Sequence, residues 1–371
     1  FMIPMCLGNL FQQFYNIADS IVAGKFIGVN ALAAIGSTGS LMFFVTGWLN
    51  GLSSGFAIIV AQMFGAKKFD RMRHYVAMSI YLMAAFSIVM TIGFSLANKP
   101  ILHLMNSPEE VFGDVTAYMG IIYAGLIITG AYNALAAFLR ALGDSKSPLY
   151  FLIISAVINV ILDVVFIVVF GMGVEGCGYA TVIAQGISGI LCLLYIAKKV
   201  PALYLHREDW EIDKNLAGWQ LKIGLPMAFQ YSITAIGTIV VQSCLNILGS
   251  TAAAGFAAAS KIEQVFTQAY VALGTTMATY CAQNMGAGKP HRADRALWYG
   301  IITAVIIGIL MGYAAFFHGD IMGTVFSKDA AVIAASQQYL KAYAIDCALT
   351  PFLFCFIGYF NGCERTLFVM L

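Results

Sequence analysis

The sequence predicts an all-α polytopic membrane protein whose helices form two six-helix lobes, related by a pseudo-two-fold axis along the membrane normal. Three observations support this fold class. The composition is too apolar for a water-soluble domain, ten apolar stretches are long enough to cross a bilayer, and the chain resembles itself at an offset of 221 residues.

The composition indicates that the folded chain has lipid as its solvent. Apolar residues make up 60% of the 371 residues, charged residues make up 10%, and the mean hydropathy is +0.83, whereas soluble domains carry about 25% charged residues. The net charge of +2 provides no basic surface for a nucleic acid. Nearly all of the eight cysteines lie in apolar runs, without C-x-x-C spacing, so we interpret them as packing residues and expect no cofactor.

Ten apolar stretches reach the roughly 20 residues that a helix needs to cross a bilayer. They are residues 1–25, 31–64, 75–97, 115–140, 149–171, 177–197, 222–248, 252–285, 296–317 and 334–362. The first stretch lacks the basic n-region of a signal peptide, so we interpret it as a membrane helix.

The basic residues predict the orientation of these helices. Fifteen lysines and arginines fall in or beside one set of connections, and only Lys25, Lys99 and Lys328 fall beside the other set. Cytoplasmic loops of membrane proteins are enriched in lysine and arginine. We therefore expect the first set, together with the N-terminus, on the cytoplasmic side of the plasma membrane.

An internal repeat is the most informative pattern in the chain. The segment AQMFGAKKFDR at 61–71 matches AQNMGAGKPHR at 282–292 with six identities, and the same offset places Tyr118 over Tyr339. A unit with an even number of spans repeats in parallel, the arrangement in which transporters build a cleft between two halves.

The repeat divides the chain. We expect an amino-terminal lobe at 1–200, a cytoplasmic connection at 201–221 and a carboxyl-terminal lobe at 222–371. The first unit uses 221 residues, and the 150 that remain (371 less 221) suffice for four spans. We expect a natural protein of twelve spans whose last two, roughly 70 residues, are absent from this sequence.

Acidic side chains inside the predicted spans need a physical reason, because an ionisable group at bilayer depth costs at least about 2.5–3.5 kcal/mol. Asp19 lies in the first span. Asp163 lies in the fifth, one helical turn beyond Asn159, so that its carboxylate and the amide share a face. With a second carboxylate from a neighbouring helix, these oxygens could bind Na⁺ or hold a proton. The alternative is that they only fix helix packing.

Glu263 and Asp346 form a second candidate pair, in the carboxyl-terminal lobe. Lys261 is near Glu263 in sequence, but residues two apart do not share a helix face. Asp346 is expected near an end of its helix. For these two acids, helix packing is an equally good interpretation.

Glycine and proline spacing adds two expectations about helix geometry. Gly47, Gly51 and Gly55 recur every four residues in the second span, which predicts the close approach of another helix. Pro4 and Pro226 occupy matched positions in the two units. A proline inside a helix permits a bend, so Pro4 is a candidate hinge, with a fixed kink as the alternative.

Taken together, these segments resemble the multidrug and toxic compound extrusion (MATE) family of the MOP superfamily, over the whole chain. The resemblance is carried by NIADSIVAGKFIG in the first span, the two AQ segments of the repeat, RALGDSKSP after the fourth span and NVILD in the fifth. An acidic residue in both the first and fifth spans is similar to the prokaryotic damage-inducible (DinF-like) branch. The resemblance implies the MATE fold.

The resemblance also implies a set of site residues. In that branch the amino-terminal lobe holds a cation site, and the matching residues here are Asp19, Asn159, Asp163 and Thr181, with Tyr118 and Gln12 beside them. Another branch uses a carboxyl-terminal site, to which Glu263 matches and Asp346 matches only loosely.

The function that the resemblance implies is export of small organic, often cationic, drug-like compounds through the bilayer by antiport with Na⁺ or H⁺, through alternating access. No catalytic activity is expected, and we expect a monomer. One alternative is a lipid-linked precursor flippase of the same superfamily, which typically carries extra spans and basic residues in its cavity. Another is a membrane-embedded enzyme, which needs a motif such as H-E-x-x-H. No arginine lies deep in a predicted span, and all five histidines lie in loops or at span ends, which disfavours both.

Overall fold

The computed structural model describes residues 1–105, 109–247, 250–324 and 329–371, and every regular element within these ranges is helical. The α-helices are α1 Met2–Phe26, α2 Val29–Gly65, α3 Phe69–Leu104, α4 Glu109–Ala124, α5 Leu126–Ala141, α6 Lys146–Val164, α7 Val174–Lys199, α8 Lys214–Ile247, α9 Ser250–Gly286, α10 Pro290–Thr324, α11 Ala330–Gly362 and α12 Thr366–Met370.

The helices account for the ten predicted spans. Within the described ranges, α2, α3, α6, α7, α10 and α11 are long and apolar enough to cross a membrane, and α4 and α5, bent by 48°, form a seventh span that is broken. Helices α1, α8 and α9 contain 25, 34 and 37 residues, which is also sufficient length at 1.5 Å per residue. The all-α polytopic fold class is confirmed.

The internal repeat is visible in the bounds of the helices. Helices α2 and α9 both contain 37 residues, and they begin at Val29 and Ser250, which are 221 positions apart. The bent pair α4 and α5 covers 109–141, and α11 covers 330–362 at the same offset. The sequence similarity between the two units is therefore matched by helices of equal length at equivalent positions.

One end of the molecule collects the basic connections, and we call it the basic end. It comprises the connections 66–68, 142–145, 200–213, 287–289 and 363–365, together with the helix ends that they join. Two hydrogen bonds join parts of this end. The Gln283 amide donates to the Ala141 carbonyl at 2.7 Å, and the Ser145 hydroxyl donates to the Phe1 carbonyl at 3.1 Å. Lys328, which was assigned to the opposite side, lies outside the described residues.

The long connection between α7 and α8 is held against α3. The Asp209 side chain is 5% exposed and accepts a 3.2 Å hydrogen bond from Arg73. Beyond it, the buried Gln220 amide donates to the Tyr75 carbonyl at 2.7 Å. Gln220 already belongs to α8, so the predicted connection at 201–221 includes the start of that helix.

The predicted glycine seam on α2 is confirmed, and its partner is α8. A Cβ added at Gly51 would lie 2.5 Å from Cα of Ala228, and one added at Gly55 would lie 2.5 Å from Cα of Gly224. The two backbones approach closely because neither glycine carries a side chain.

Candidate functional site

The four residues predicted to bind a cation lie together inside the amino-terminal half. Asp19 of α1 is 6% exposed, Asn159 and Asp163 of α6 are fully buried, and Thr181 of α7 is 3% exposed. The Thr181 hydroxyl donates to Oδ2 of Asp19 at 3.3 Å. The carboxyl groups of Asp19 and Asp163 are close enough to interact electrostatically, with Asn159 beside them. Three helices thus bring two carboxyls, an amide and a hydroxyl to one point.

Most polar side-chain atoms in this cluster have no hydrogen-bond partner among the residues that the structure describes. Among the described residues, no hydrogen-bond partner is found for Oδ1 of Asp19, either carboxylate oxygen of Asp163, or the amide oxygen and nitrogen of Asn159. Two buried negative charges close together are costly. One added positive charge, either a proton or a cation with oxygen ligands, would lower that cost.

The local structure of α6 places its two site residues on one face. Asn159 and Asp163 are four residues apart, which is about one helical turn. Two residues after Asp163, the segment Val165–Val169 begins a π-helical turn, a distortion often found at functional sites. Sequence periodicity gives no signal for this turn, because its residues are uniformly apolar.

Two further side chains lie close to the carboxyl pair. Tyr118 of α4 is 4% exposed and near enough to interact electrostatically with Asp19 and Asp163, so it stands beside the site as predicted from the resemblance. Cys177 of α7 is fully buried and close enough to interact electrostatically with the Asp163 carboxyl group. Sequence reasoning treated Cys177 as packing; its position one turn before Thr181 was the available signal.

Gln12 does not join this cluster. It lines a separate cavity of about 10 Å³ with Tyr132, Ser155, Gln185 and Ser188, space for at most one water molecule. Gln12 is seven residues from Asp19, so about 10 Å of helix separates them. Gln12 thus lies beside polar residues of α7, away from the carboxyl pair, and it is not a ligand in this arrangement.

The second acidic pair has a different environment. Glu263 of α9 is half-buried and accepts a 2.7 Å hydrogen bond from the Tyr339 hydroxyl of α11. Asp346 is exposed and accepts a 2.8 Å bond from Thr350. The expectation that Asp346 lies near a helix end is wrong, because α11 continues through Pro351 to Gly362; membrane helices tolerate an internal proline.

Two other sequence-based candidates have simple placements. Pro4 lies in the first turn of α1, and Pro226 lies inside α8. These positions do not test whether α1 bends, so the hinge at Pro4 stays a prediction. Within the described residues, no group of three or more histidine, cysteine or acidic side chains could hold a metal ion together.

Comparisons with known proteins identify the family. The MatE family model matches residues 4–165 and 226–371. The probable multidrug resistance protein YpnP of Bacillus subtilis (strain 168) is 28% identical over 100% of this chain and 82% of its own length. The probable multidrug resistance protein YoeA of the same organism is 30% identical over 83% of this chain and 68% of its own length.

A solved structure, the outward-facing conformation of a multidrug resistance MATE family transporter of the MOP superfamily, has the same fold. It matches with a TM-score of 0.93 and 21% identity, and the match covers 100% of this chain and 83% of that chain. The family model matches well over half of the chain, and both relatives are similar along most of it. The chain therefore belongs to the MatE family, whose members are transporters and not enzymes.

Proposed function

We propose that the protein is a secondary active multidrug exporter, which moves small organic, often cationic, compounds out of the cytoplasm by antiport with Na⁺ or H⁺. The names of the relatives YpnP and YoeA support this substrate class. In the proposed orientation the basic end faces the cytoplasm, because basic residues are enriched in cytoplasmic loops. The protein acts as a monomer in the plasma membrane, and its lobes, at 1–200 and 222–371, move against each other.

The observation that carries the proposal is the buried pair of Asp19 and Asp163. Three of their four carboxylate oxygens have no hydrogen-bond partner among the described residues. An ordinary packing contact would satisfy those oxygens, because unpaired polar atoms in an apolar interior cost free energy. Such a pair is suited to gain and lose one positive charge during each transport cycle.

The proposed cycle couples that charge to shape. When a cation or proton enters, it neutralises the repulsion between Asp19 of α1 and Asp163 of α6 and draws the two helices together. When it leaves, the repulsion returns. A ligand shifts a conformational equilibrium by its difference in affinity for the two states. Movement of α1, with a bend near Pro4, then changes the substrate pocket in the amino-terminal lobe.

Both coupling ions are compatible with this chemistry. Na⁺ would be held by the carboxylates, the Asn159 carbonyl oxygen and the Thr181 hydroxyl, all hard oxygen ligands. A proton would instead bridge the two carboxyl groups. Glu263 and Asp346 remain candidates for a second site, with less support because both already accept hydrogen bonds.

The test is efflux from proteoliposomes with Na⁺ and proton gradients imposed separately, using the fluorescent organic cation ethidium as the transported probe. We expect one of the two gradients to drive efflux. Asp163→Asn should reduce efflux to the level without a gradient, because an amide cannot exchange a charge, while the thermal unfolding midpoint in detergent stays near that of the wild type.

The matched control is Asp114→Asn, which changes an exposed acid of α4 in the same half of the protein. This variant should transport normally. Gradient-driven efflux that survives in Asp163→Asn would contradict the proposed role of the pair.

A further inference from the structure

The two AQ segments of the repeat meet each other at the basic end, where α2 and α9 cross. Gly65 lies against the backbone of Gln283, and Gly286 lies against the backbone of Gln62. Each residue of one contact is displaced by 221 positions from its counterpart in the other. The motif that reveals the duplication is therefore also a contact between the two duplicated units.

Both glycines are required by this approach. A Cβ added at Gly65 would overlap the carbonyl oxygen of Gln283, and a Cβ added at Gly286 would overlap the carbonyl oxygen of Gln62. Any larger residue would push the two helix ends apart. By contrast, a Cβ added at Gly39, also on α2, would meet nothing within 4 Å.

The glutamines extend the contact to two more helices. The Gln62 amide of α2 donates to the carbonyl of Gly362, the last residue of α11, at 3.3 Å. The Gln283 amide of α9 donates to the carbonyl of Ala141, the last residue of α5, at 2.7 Å. Carbonyls in the last turn of a helix have no partner within the helix. Each half of the protein thus caps a helix of the other half.

We propose that these four residues form a reciprocal clasp, Gln62 and Gly65 against Gln283 and Gly286, which closes the basic end between the two lobes and must separate for the cleft to open on that side. Gln62, Gly65, Gln283 and Gly286 are gating residues of the transport cycle. They position the lobes and do not bind the transported compound or the coupling ion.

The chemistry of the clasp suits a reversible closure. All four residues are half-buried, so water can reach the glutamine amides and the two helix-end carbonyls as soon as the lobes separate. A hydrogen bond that is exchanged for one to water contributes only about a fivefold change in the equilibrium. A closure made of a few such bonds holds the end shut while leaving the open state accessible.

The clasp rests on one part of the proposed function, namely that the cleft opens alternately at its two ends. Its test uses neither substrate nor ion, so its result is independent of the role of Asp19 and Asp163. The measurement is hydrogen–deuterium exchange, read by mass spectrometry, of the full chain in lipid nanodiscs, with exchange rates compared in peptides that cover 62–68 and 283–289.

We expect Gly65→Ala and Gly286→Ala each to raise exchange in both peptides by at least about tenfold, because one added methyl forces the crossing apart. Gln283→Ala, which only removes side-chain atoms, should raise it about fivefold. The controls are Gly39→Ala on α2 and Gln264→Ala, an exposed glutamine on α9, and both should exchange as the wild type does.

Two outcomes would overturn the proposal. The first is exchange in the Gly65→Ala and Gln283→Ala variants that equals that of their controls. The second is a rise of equal size in residues 98–104 of α3, at the opposite end, since that pattern reports general loosening. If Gly65→Ala does not fold, Gln283→Ala and its control decide the question.

Discussion

The two acidic pairs of the molecule lie in membrane helices of the two halves, yet they differ in how their oxygens are satisfied. Asp19 and Asp163 are buried, and most of their oxygens have no hydrogen-bond partner among the described residues. Glu263 is half-buried and accepts a hydrogen bond from Tyr339. Asp346 is exposed and accepts a hydrogen bond from Thr350. Leaving a buried carboxylate without a hydrogen-bond partner costs free energy, whereas a carboxylate that accepts a hydrogen bond or faces solvent does not bear that cost.

This difference arises from side chains and not from the backbone. Helix α9 begins 221 positions after α2, and α11 has the same bounds as the pair α4 and α5 at that offset, so the duplicated framework offers similar places to both halves. The substitutions within that framework decide which acids are buried without a hydrogen-bond partner among the described residues. The predictions that follow compare equivalent changes in the two halves.

The largest expected effect separates the two acidic pairs. We predict that Asp19→Asn lowers gradient-driven efflux by at least about tenfold, a typical size for the coupling between two sites, because the buried pair loses its exchangeable charge. Asp346→Asn should change efflux by less than about twofold, since the carboxylate that it removes is exposed. Initial rates in proteoliposomes measure both. Equal losses would show that the carboxyl-terminal acids share the coupling.

A smaller effect is expected from the hydroxyls that donate to these acids. Thr181→Val keeps the side-chain shape but removes the donor to Asp19, and we predict that the cation concentration for half-maximal efflux changes by about fivefold, the value of one hydrogen bond. Thr350→Val, which removes the donor to Asp346, should leave that concentration unchanged. A change in maximal rate alone, without a change in this concentration, would contradict a role of Thr181 in holding the ion.

Removal of the Tyr339 hydroxyl should affect stability and not transport. Tyr339→Phe leaves the half-buried Glu263 without the donor seen at 2.7 Å, which costs about 1 kcal/mol. We predict a thermal unfolding midpoint in detergent lower by a few degrees, with efflux within about twofold of the wild type. A loss of coupled transport in this variant would instead place Glu263 in the ion pathway.

The smallest effect concerns equivalent turns of the two units. Lys67 has φ of +57°, and its counterpart Gly288 has φ of +69°, a backbone region that disfavours residues with a Cβ. We predict that Lys67→Gly stabilises the protein by up to about 1 kcal/mol, read as a higher unfolding midpoint. Lys68→Gly, at φ of −94°, should give no such gain.

Much of the architecture was predictable from the sequence because a bilayer imposes strong local requirements. Span length follows from bilayer thickness, and helices occupy all ten predicted stretches, seven of them, one bent, being apolar and long enough to cross a membrane within the described residues. The repeat was readable because two segments kept the same residues at one offset. The pairing of Asp19 with Asp163 was foreseen because an acid inside a span needs a partner, with the family resemblance supplying Thr181 and Tyr118.

Other features depended on contacts between segments distant in sequence. The position of Asp346 was mistaken, because α11 runs from Ala330 to Gly362 with Pro351 inside it and therefore places Asp346 in the middle of the helix. The separate cavity of Gln12 and the crossing of α2 with α9 depend on which distant helices meet. The approach of Cys177 to the carboxyl pair had only its position one turn before Thr181 as a signal.

By itself, the sequence determined that the chain crosses a membrane many times, that its two units share a plan, and which side chains carry charge inside the apolar interior. These properties follow from hydropathy, length and self-similarity, each of which is local along the chain. Only the tertiary structure decided which charges remain without a hydrogen-bond partner and which glycines allow two backbones to meet, because both depend on what a distant helix places opposite them.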